Sequence, residues 1–341
     1  MKRLIRIIRP EYIGAAVIVV LVALLVFIKF DRHYLVLQSH KVPANFWGIT
    51  YSKKYAQSLD LDWREAYVAL LDDVGVKKIR LPVYWDDVAP QSNELRFNDY
   101  DWLIEEAAKR DAQVIVALGS RLPRWPECHL PAWASKQTVT ERQSSELAYI
   151  RSAIVHFQRY KNISAWQIQN EYYVTWFGEC DKGAGHILQE QIDLVRSLDQ
   201  RPIVLTDSGE FSLWRQVSKQ ADYVGTTMYR VAWNKYLGYS YGPWPAWLYQ
   251  FKAALNGLSR SRVFVAELQA EPWPPAWRDI RSLTTREINA SFTLRQFTTN
   301  AELARRTGFS QAYFWGAEWW YWLRLQGDDR YWRLAQELFK P

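Results

Sequence analysis

Cysteine is scarce: 341 residues contain only Cys128 and Cys180, and neither belongs to a CxxC pair. No HExxH occurs, so neither a structural zinc site nor a zincin has its usual ligands. No G-x-G-x-x-G follows an early apolar run and no Walker A sequence is present, which removes the common signs of dinucleotide and P-loop phosphate binding. The body also lacks a Lys/Arg-rich run with interleaved aromatics, so nucleic acid is not an expected partner. Nothing in the chain calls for a metal or a cofactor.

Charge of one sign is missing at the start. MKRLIRIIRP carries four basic residues and no acid, and Tyr12–Ile28 then contains no charged residue before Lys29. With Phe30 this run is near the lower limit for a bilayer-spanning helix. It is long for a cleaved signal peptide, and no A-x-A-like site follows in DRHYLVLQSHK. The reading is an uncleaved signal anchor: residues 1–30 as basic cytoplasmic flank and transmembrane helix, 31–43 as tether, and 44–341 as an extracytoplasmic body. The membrane, contacted through residues 12–30, is then a partner, and the protein sits in the cytoplasmic membrane with its N-terminus inside. The net charge of +7 partly reflects this flank.

Beyond the tether there is no Pro/Ser-rich linker, low-complexity tract or short repeat. Eight short runs rich in Val, Ile and aromatics read as strands: Asn45–Tyr51, Lys77–Val83, Ala112–Gly119, Ile163–Asn170, Pro202–Asp207, Asp222–Tyr229, Arg262–Leu268 and Gln311–Gly316. Several are apolar on both faces, as buried parallel strands are. Helical patterns lie between them at Trp63–Val74, Tyr100–Arg110, Ser145–Tyr160, His186–Leu198, Thr285–Thr307 and Asp329–Phe339. Eight β/α units in about 290 residues predict an α/β fold, a (β/α)8 TIM barrel preceded by the N-terminal transmembrane helix.

Barrel enzymes work at the C-terminal ends of their strands. In AWQIQNEYY, Asn170 and Glu171 close strand four; in VFVAELQAEPW, Glu267 closes strand seven. A carboxyl at the end of a buried strand is costly to desolvate, so it needs partners or a task. Strands four and seven face each other across a barrel mouth, so the two carboxyls can converge on one bond. Paired carboxyls suit glycoside hydrolysis.

At these positions the chain resembles the retaining glycoside hydrolases of clan A, the (β/α)8 group that includes cellulases, mannanases and β-galactosidases. The resemblance covers the body from about Asn45 onward. It implies a retaining double displacement with Glu171 as acid/base and Glu267 as nucleophile, their carboxyls about 5 Å apart. It further implies that Asn170 binds the sugar 2-hydroxyl, that Arg80 in IRLPVYW pairs with the nucleophile, and that Tyr229 in TTMYR hydrogen-bonds it. Trp315 in YFWGAEWW would floor the subsite of the sugar to be cleaved. The charge on Glu267 would raise the pKa of Glu171 and keep it protonated.

Other residues carry two readings each. His129, in RLPRWPECHLPAW after strand three, is either a sugar contact or a structural histidine. Glu318 touches substrate or is a solvated loop residue, and Asp207 orients the site or caps a helix near Phe211. Trp125, Trp133, Trp176, Trp233, Trp244, Trp273, Trp277, Trp319, Trp320 and Trp322 all follow strands, and are divided between sugar platforms and loop cores. Cys128 and Cys180 lie in loops after neighbouring strands, which permits a disulfide in an extracytoplasmic body; two unrelated buried thiols are the other reading.

The expected partner is an oligo- or polysaccharide. A non-catalytic glycan-binding or envelope-scaffold protein on a glycosidase-like barrel is the rival class, but neither role needs the Glu171/Glu267 pair. A phosphate-handling barrel would want Gly-rich turns where ELQAEPWPPAW and WGAEWWYW stand. Hydrolysis and transglycosylation share one intermediate, and the sequence leaves both open, with the sugar.

Overall fold

The computed structural model describes residues 45–180 and 187–340, together with Gly14, Ile18, Leu21, Val22 and Pro43. The remaining positions of the expected anchor and tether lie outside the described residues. Among the described residues no helix is long and apolar enough to cross a membrane.

Eight parallel strands close into a barrel: β1 (Trp47–Thr50), β2 (Lys78–Pro82), β3 (Gln113–Leu118), β4 (Ile163–Ile168), β5 (Ile203–Asp207), β6 (Tyr223–Met228), β7 (Val263–Gln269) and β8 (Ala312–Trp315). Each pairs with its neighbour in the chain, and β8 returns to β1 with Trp47 opposite Ala312. All eight runs picked from composition are strands, with ends moved by two residues or fewer.

The barrel interior is filled, not hollow. Ile115, Ala165, Val204, Phe264, Ala266 and Tyr313 form an apolar layer between the strands. The Tyr313 ring lies so close to β1 that a Cβ at Gly48 would come within 2.7 Å of it. The larger core lies outside the strands, where helices place Leu70, Leu103, Ile150, Ile192 and Phe297 against them.

Helix limits differ more from expectation. The helix expected from Ser145 starts at Val139, because Thr138 and Glu141 form a reciprocal capping box ahead of its apolar stripe. The single helix expected over 285–307 is two, Thr285–Ser291 and Leu294–Arg306. Phe292 between them is extended at φ −157°, and Thr293 caps the second by accepting from the Gln296 amide. A hairpin (Val231–Asn234 with Gly238–Tyr241) and a helix (Ala246–Leu255) fill the β6–β7 connection.

The loops after β3 and β4 are joined. Cys128 and Cys180 form a disulfide with Cα atoms 5.2 Å apart, spanning 52 residues of sequence.

Candidate active site

Arg80, at the middle of β2, points into the barrel and is fully buried. A guanidinium out of water must have its donors satisfied. Nη1 donates to Glu267 Oε1 at 2.9 Å, Nε to Gln167 Oε1 at 2.6 Å and Nη2 to Asn170 Oδ1 at 2.6 Å. Glu267 projects from β7, and its second oxygen accepts from the Tyr229 hydroxyl at 2.9 Å. Residues of β4 and β7 thus bond the cation that β2 carries, and Tyr229 after β6 joins them through Glu267.

The chain after β4 turns sharply, with φ of +58° at Gln169 and +43° at Glu171. The Gln169 side chain anchors this turn by accepting from the Arg121 amide and donating to Glu146 and Gln191. Thr206 of β5 holds the next two residues. Its hydroxyl donates to Asn170 Oδ1 and accepts from the Glu171 amide, each at 2.9 Å. Asn170 Nδ2 reaches Glu127 Oε2 at 3.3 Å.

Glu171 is 8% exposed, and among the described residues nothing donates to its carboxyl. Its pKa lies well above the usual carboxylate range. Burial is the main cause, followed by the charges of Glu267, Glu127 and Glu210, with Arg121 opposing. The expected influence of Glu267 is therefore present but second to desolvation. A carboxyl that holds its proton more tightly than usual and faces open space is equipped to give that proton away.

Both glutamates line a cleft of about 840 Å³. Tyr229 and Trp315 line it too, as does Trp176 on its rim at 66% exposure. His129 belongs to the same wall. Its ring lies 4.3 Å from that of Tyr84 and its Nε2 meets the Arg124 carbonyl at 3.1 Å. Burial, and then the charge of Lys54, push its pKa down to about 4, so it is a neutral polar ring at pH 7.

Glu318 takes neither of its two expected places. It sits in the first turn of a helix (Ala317–Leu325), fully buried, where it accepts from the Ser52 amide at 2.6 Å and Arg124 Nη2 at 3.1 Å. Burial lifts its pKa to about 7 against the pull of Arg124. Asp207 accepts from the Ser208 amide and the Ser212 hydroxyl, closing the loop after β5 rather than capping a helix. Trp125, Trp244 and Trp273 line the cleft with Trp176. Trp319 and Trp320 are core, Trp133 packs on Trp85 and Trp322 against the core, and Trp233 belongs to the hairpin. The Trp277 side chain lies outside the described residues.

Several site residues were not foreseen. Glu127 and Glu210 line the cleft, both with carboxyls whose pKa is raised, chiefly by burial. Arg124 lies between the rings of Tyr55 and Trp315, 3.6 and 4.0 Å from their centroids, and pairs with Glu271 as well as Glu318. It thereby braces Trp315 from one side. A buried cation needs a countercharge, and the Glu271 of ELQAEPW was the available clue.

The family model described as "Cellulase (glycosyl hydrolase family 5)" matches residues 38–242. No curated protein gives a detectable sequence match. Among solved structures, the chain is similar to a glycosylated endo-beta-1,4-xylanase of glycoside hydrolase family 10 from Gloeophyllum trabeum. That likeness has TM-score 0.53 at 13% identity, over 79% of this chain and 83% of that one. Xylanase 10B from Thermotoga petrophila RKU-1, solved with xylobiose, gives TM-score 0.53 at 12% identity over 82% and 86%. A beta-glucosidase from Exiguobacterium marinum gives 0.51 at 12% identity over 81% and 89%. At such identities these likenesses speak for the barrel fold.

Proposed function

Because the chain belongs to glycosyl hydrolase family 5, and so is a glycosidase acting on carbohydrate, we propose that it cleaves β-linked glycosides by retaining double displacement. Glu267 attacks the anomeric carbon while Glu171 protonates the departing oxygen; the C1–O bond breaks and a glycosyl-enzyme forms. Glu171, now a carboxylate, takes a proton from water, which attacks the same carbon and releases Glu267. Asn170 holds the 2-hydroxyl of the sugar, and Trp315 supports its ring.

The observation that carries this reading is the Arg80–Glu267–Tyr229 arrangement opposite an unbonded, proton-retaining Glu171. One carboxyl is aimed and held by two donors; the other accepts no hydrogen bond among the described residues and holds its proton more tightly than usual. These are the two states the first step consumes. The β configuration draws support from the names of the xylanases and the beta-glucosidase that share the barrel. Trp125, Trp176, Trp244 and Trp273 offer ring faces to an extended glycan along the cleft.

A panel of aryl β-glycosides tests it, with proton NMR following the anomer first released. The expected product keeps the substrate's configuration, and Glu267→Gln loses activity by about 10⁴-fold or more. An inverted first product, or a Glu267→Gln variant as fast as wild type, overturns the assignment.

A further inference from the structure

Glu127 has no part in the double displacement, yet the fold holds it in place with unusual care. It is a non-glycine residue in the left-handed region at φ +71°, a conformation that costs free energy and persists only where its surroundings impose it. Its amide donates to the Arg124 carbonyl and its carbonyl accepts from the Leu122 amide, both at 2.8 Å. The loop after β4 closes on it from outside. At Gly178, itself at φ +88°, a Cβ would lie 2.8 Å from the Glu127 Cβ, so only glycine permits the approach. The Glu179 amide donates to the Pro126 carbonyl, and Cys128, the residue after Glu127, carries the disulfide.

The side chain so placed is 5% exposed, lines the cleft and meets Asn170 Nδ2. The Asn170 amide cannot turn over, because Arg80 and Thr206 both donate to its Oδ1. One Nδ2 hydrogen is spent on Glu127, which leaves the other for a ligand.

We propose that Glu127 is a specificity-determining residue that, together with Asn170, reads the substituent at C2 of the sugar and selects a hydroxyl there. The inference rests on the retaining-glycosidase reading, in which Asn170 faces that carbon. Burial and then the charge of Glu267 push the Glu127 pKa up to about 8, so near neutrality it carries a proton. Its carbonyl oxygen accepts from Asn170 and its O–H is available to the sugar. A hydroxyl oxygen has lone pairs for both hydrogens, one from Asn170 and one from Glu127. A 2-deoxy sugar leaves both donors desolvated and unpaired, which is a strong ground for rejection.

The test uses 2,4-dinitrophenyl β-D-glycosides of the gluco, manno, galacto and xylo series beside their 2-deoxy counterparts. The gluco and manno probes share a single 2-deoxy analogue, which separates the presence of the hydroxyl from its orientation. Glu127→Ala is expected to lower kcat/KM by about 10²-fold on the preferred 2-hydroxy glycoside and far less on its 2-deoxy partner. Glu127→Gln, which keeps one acceptor and one donor, should fall between Ala and wild type. Equal losses on both members of a pair, for either variant, would mean that Glu127 merely supports the loop, and the proposal fails alone. If wild type cleaves none of the probes faster than Glu267→Gln, the retaining-glycosidase reading fails and takes this one with it.

Discussion

Glu127 differs from Glu267 and Glu271 in the same cleft: among the described residues no cation pairs with it, and the hydrogen bond from Asn170 is long. Its pKa near 8 has a consequence for stability as well as for recognition. The folded value lies above that of an unfolded glutamate, so the native state binds the proton more tightly. The stability this contributes is complete at acid pH and is lost as pH rises from about 4.5 through 8. Relative to wild type, Glu127→Gln should therefore gain stability between pH 5 and pH 8.5. The gain is at most a few kcal/mol, since each tenfold difference in proton affinity is worth ~1.4 kcal/mol. Urea denaturation at both pH values checks it; parallel curves would place Glu127 in a wetter setting. That the sequence singles out Glu171 and Glu267 but not this residue has a plain cause. Glu267 closes an uncharged strand run, where alternation says which way a side chain points, and Glu171 follows such a run after one short turn. Glu127 sits in an irregular turn, and nothing in RLPRWPECH says that the glutamate, rather than the histidine two places on, faces Asn170. Arg80 is legible as a strand residue, and Tyr229 as the residue directly after β6.

The strands declared themselves as elements because a buried parallel strand must be apolar on both faces, and few other segments are. Helices were legible only where their apolar stripe ran to the end. The stretch VTERQSS carries no stripe, so the first turns of Val139–Phe157 depend on the Thr138–Glu141 cap that composition hides. The short elements of the β6–β7 connection left no periodic trace. The most consequential pairing between elements is covalent. The Cys128–Cys180 bond closes a loop of 52 residues, worth about 4 kcal/mol by the chain-entropy relation. Replacing both cysteines by serine should lower the stability of the body by up to that amount. It should also weaken discrimination at C2 more than it weakens turnover of a 2-deoxy probe, because Glu127 adjoins the bond. Denaturant titration and the paired glycosides measure the two effects; a variant with unchanged stability and unchanged discrimination would show that backbone contacts alone hold the loops.

At the scale of the whole molecule, we propose that the apolar run Tyr12–Ile28 anchors the body in the cytoplasmic membrane, with the basic flank inside and the barrel outside. The disulfide accords with such a compartment, since cytosolic proteins seldom keep one. Residues 31–43, fully extended, span at most about 45 Å, so the barrel stays close to the bilayer. Because the tether enters β1 at the barrel's N-terminal end, the mouth would open away from the lipid. The expected outcome is a protein that fractionates with membranes, is released by deletion of residues 1–30, and is cut by protease added to intact spheroplasts. A body protected from that protease would put it on the other side.

The closure of the barrel also has a cost in time. β1 finds its partner β8 roughly 265 residues later, so at a synthesis rate of ~5–20 residues per second it waits about 15–50 s for Trp315 to be made. During that interval the growing sheet keeps open edges that can pair with other chains. Each nascent molecule therefore passes through a period in which crowding with its own siblings is hazardous. Slow initiation, which thins out the siblings, or a bound chaperone, which covers the edges, would raise the yield of closed barrels.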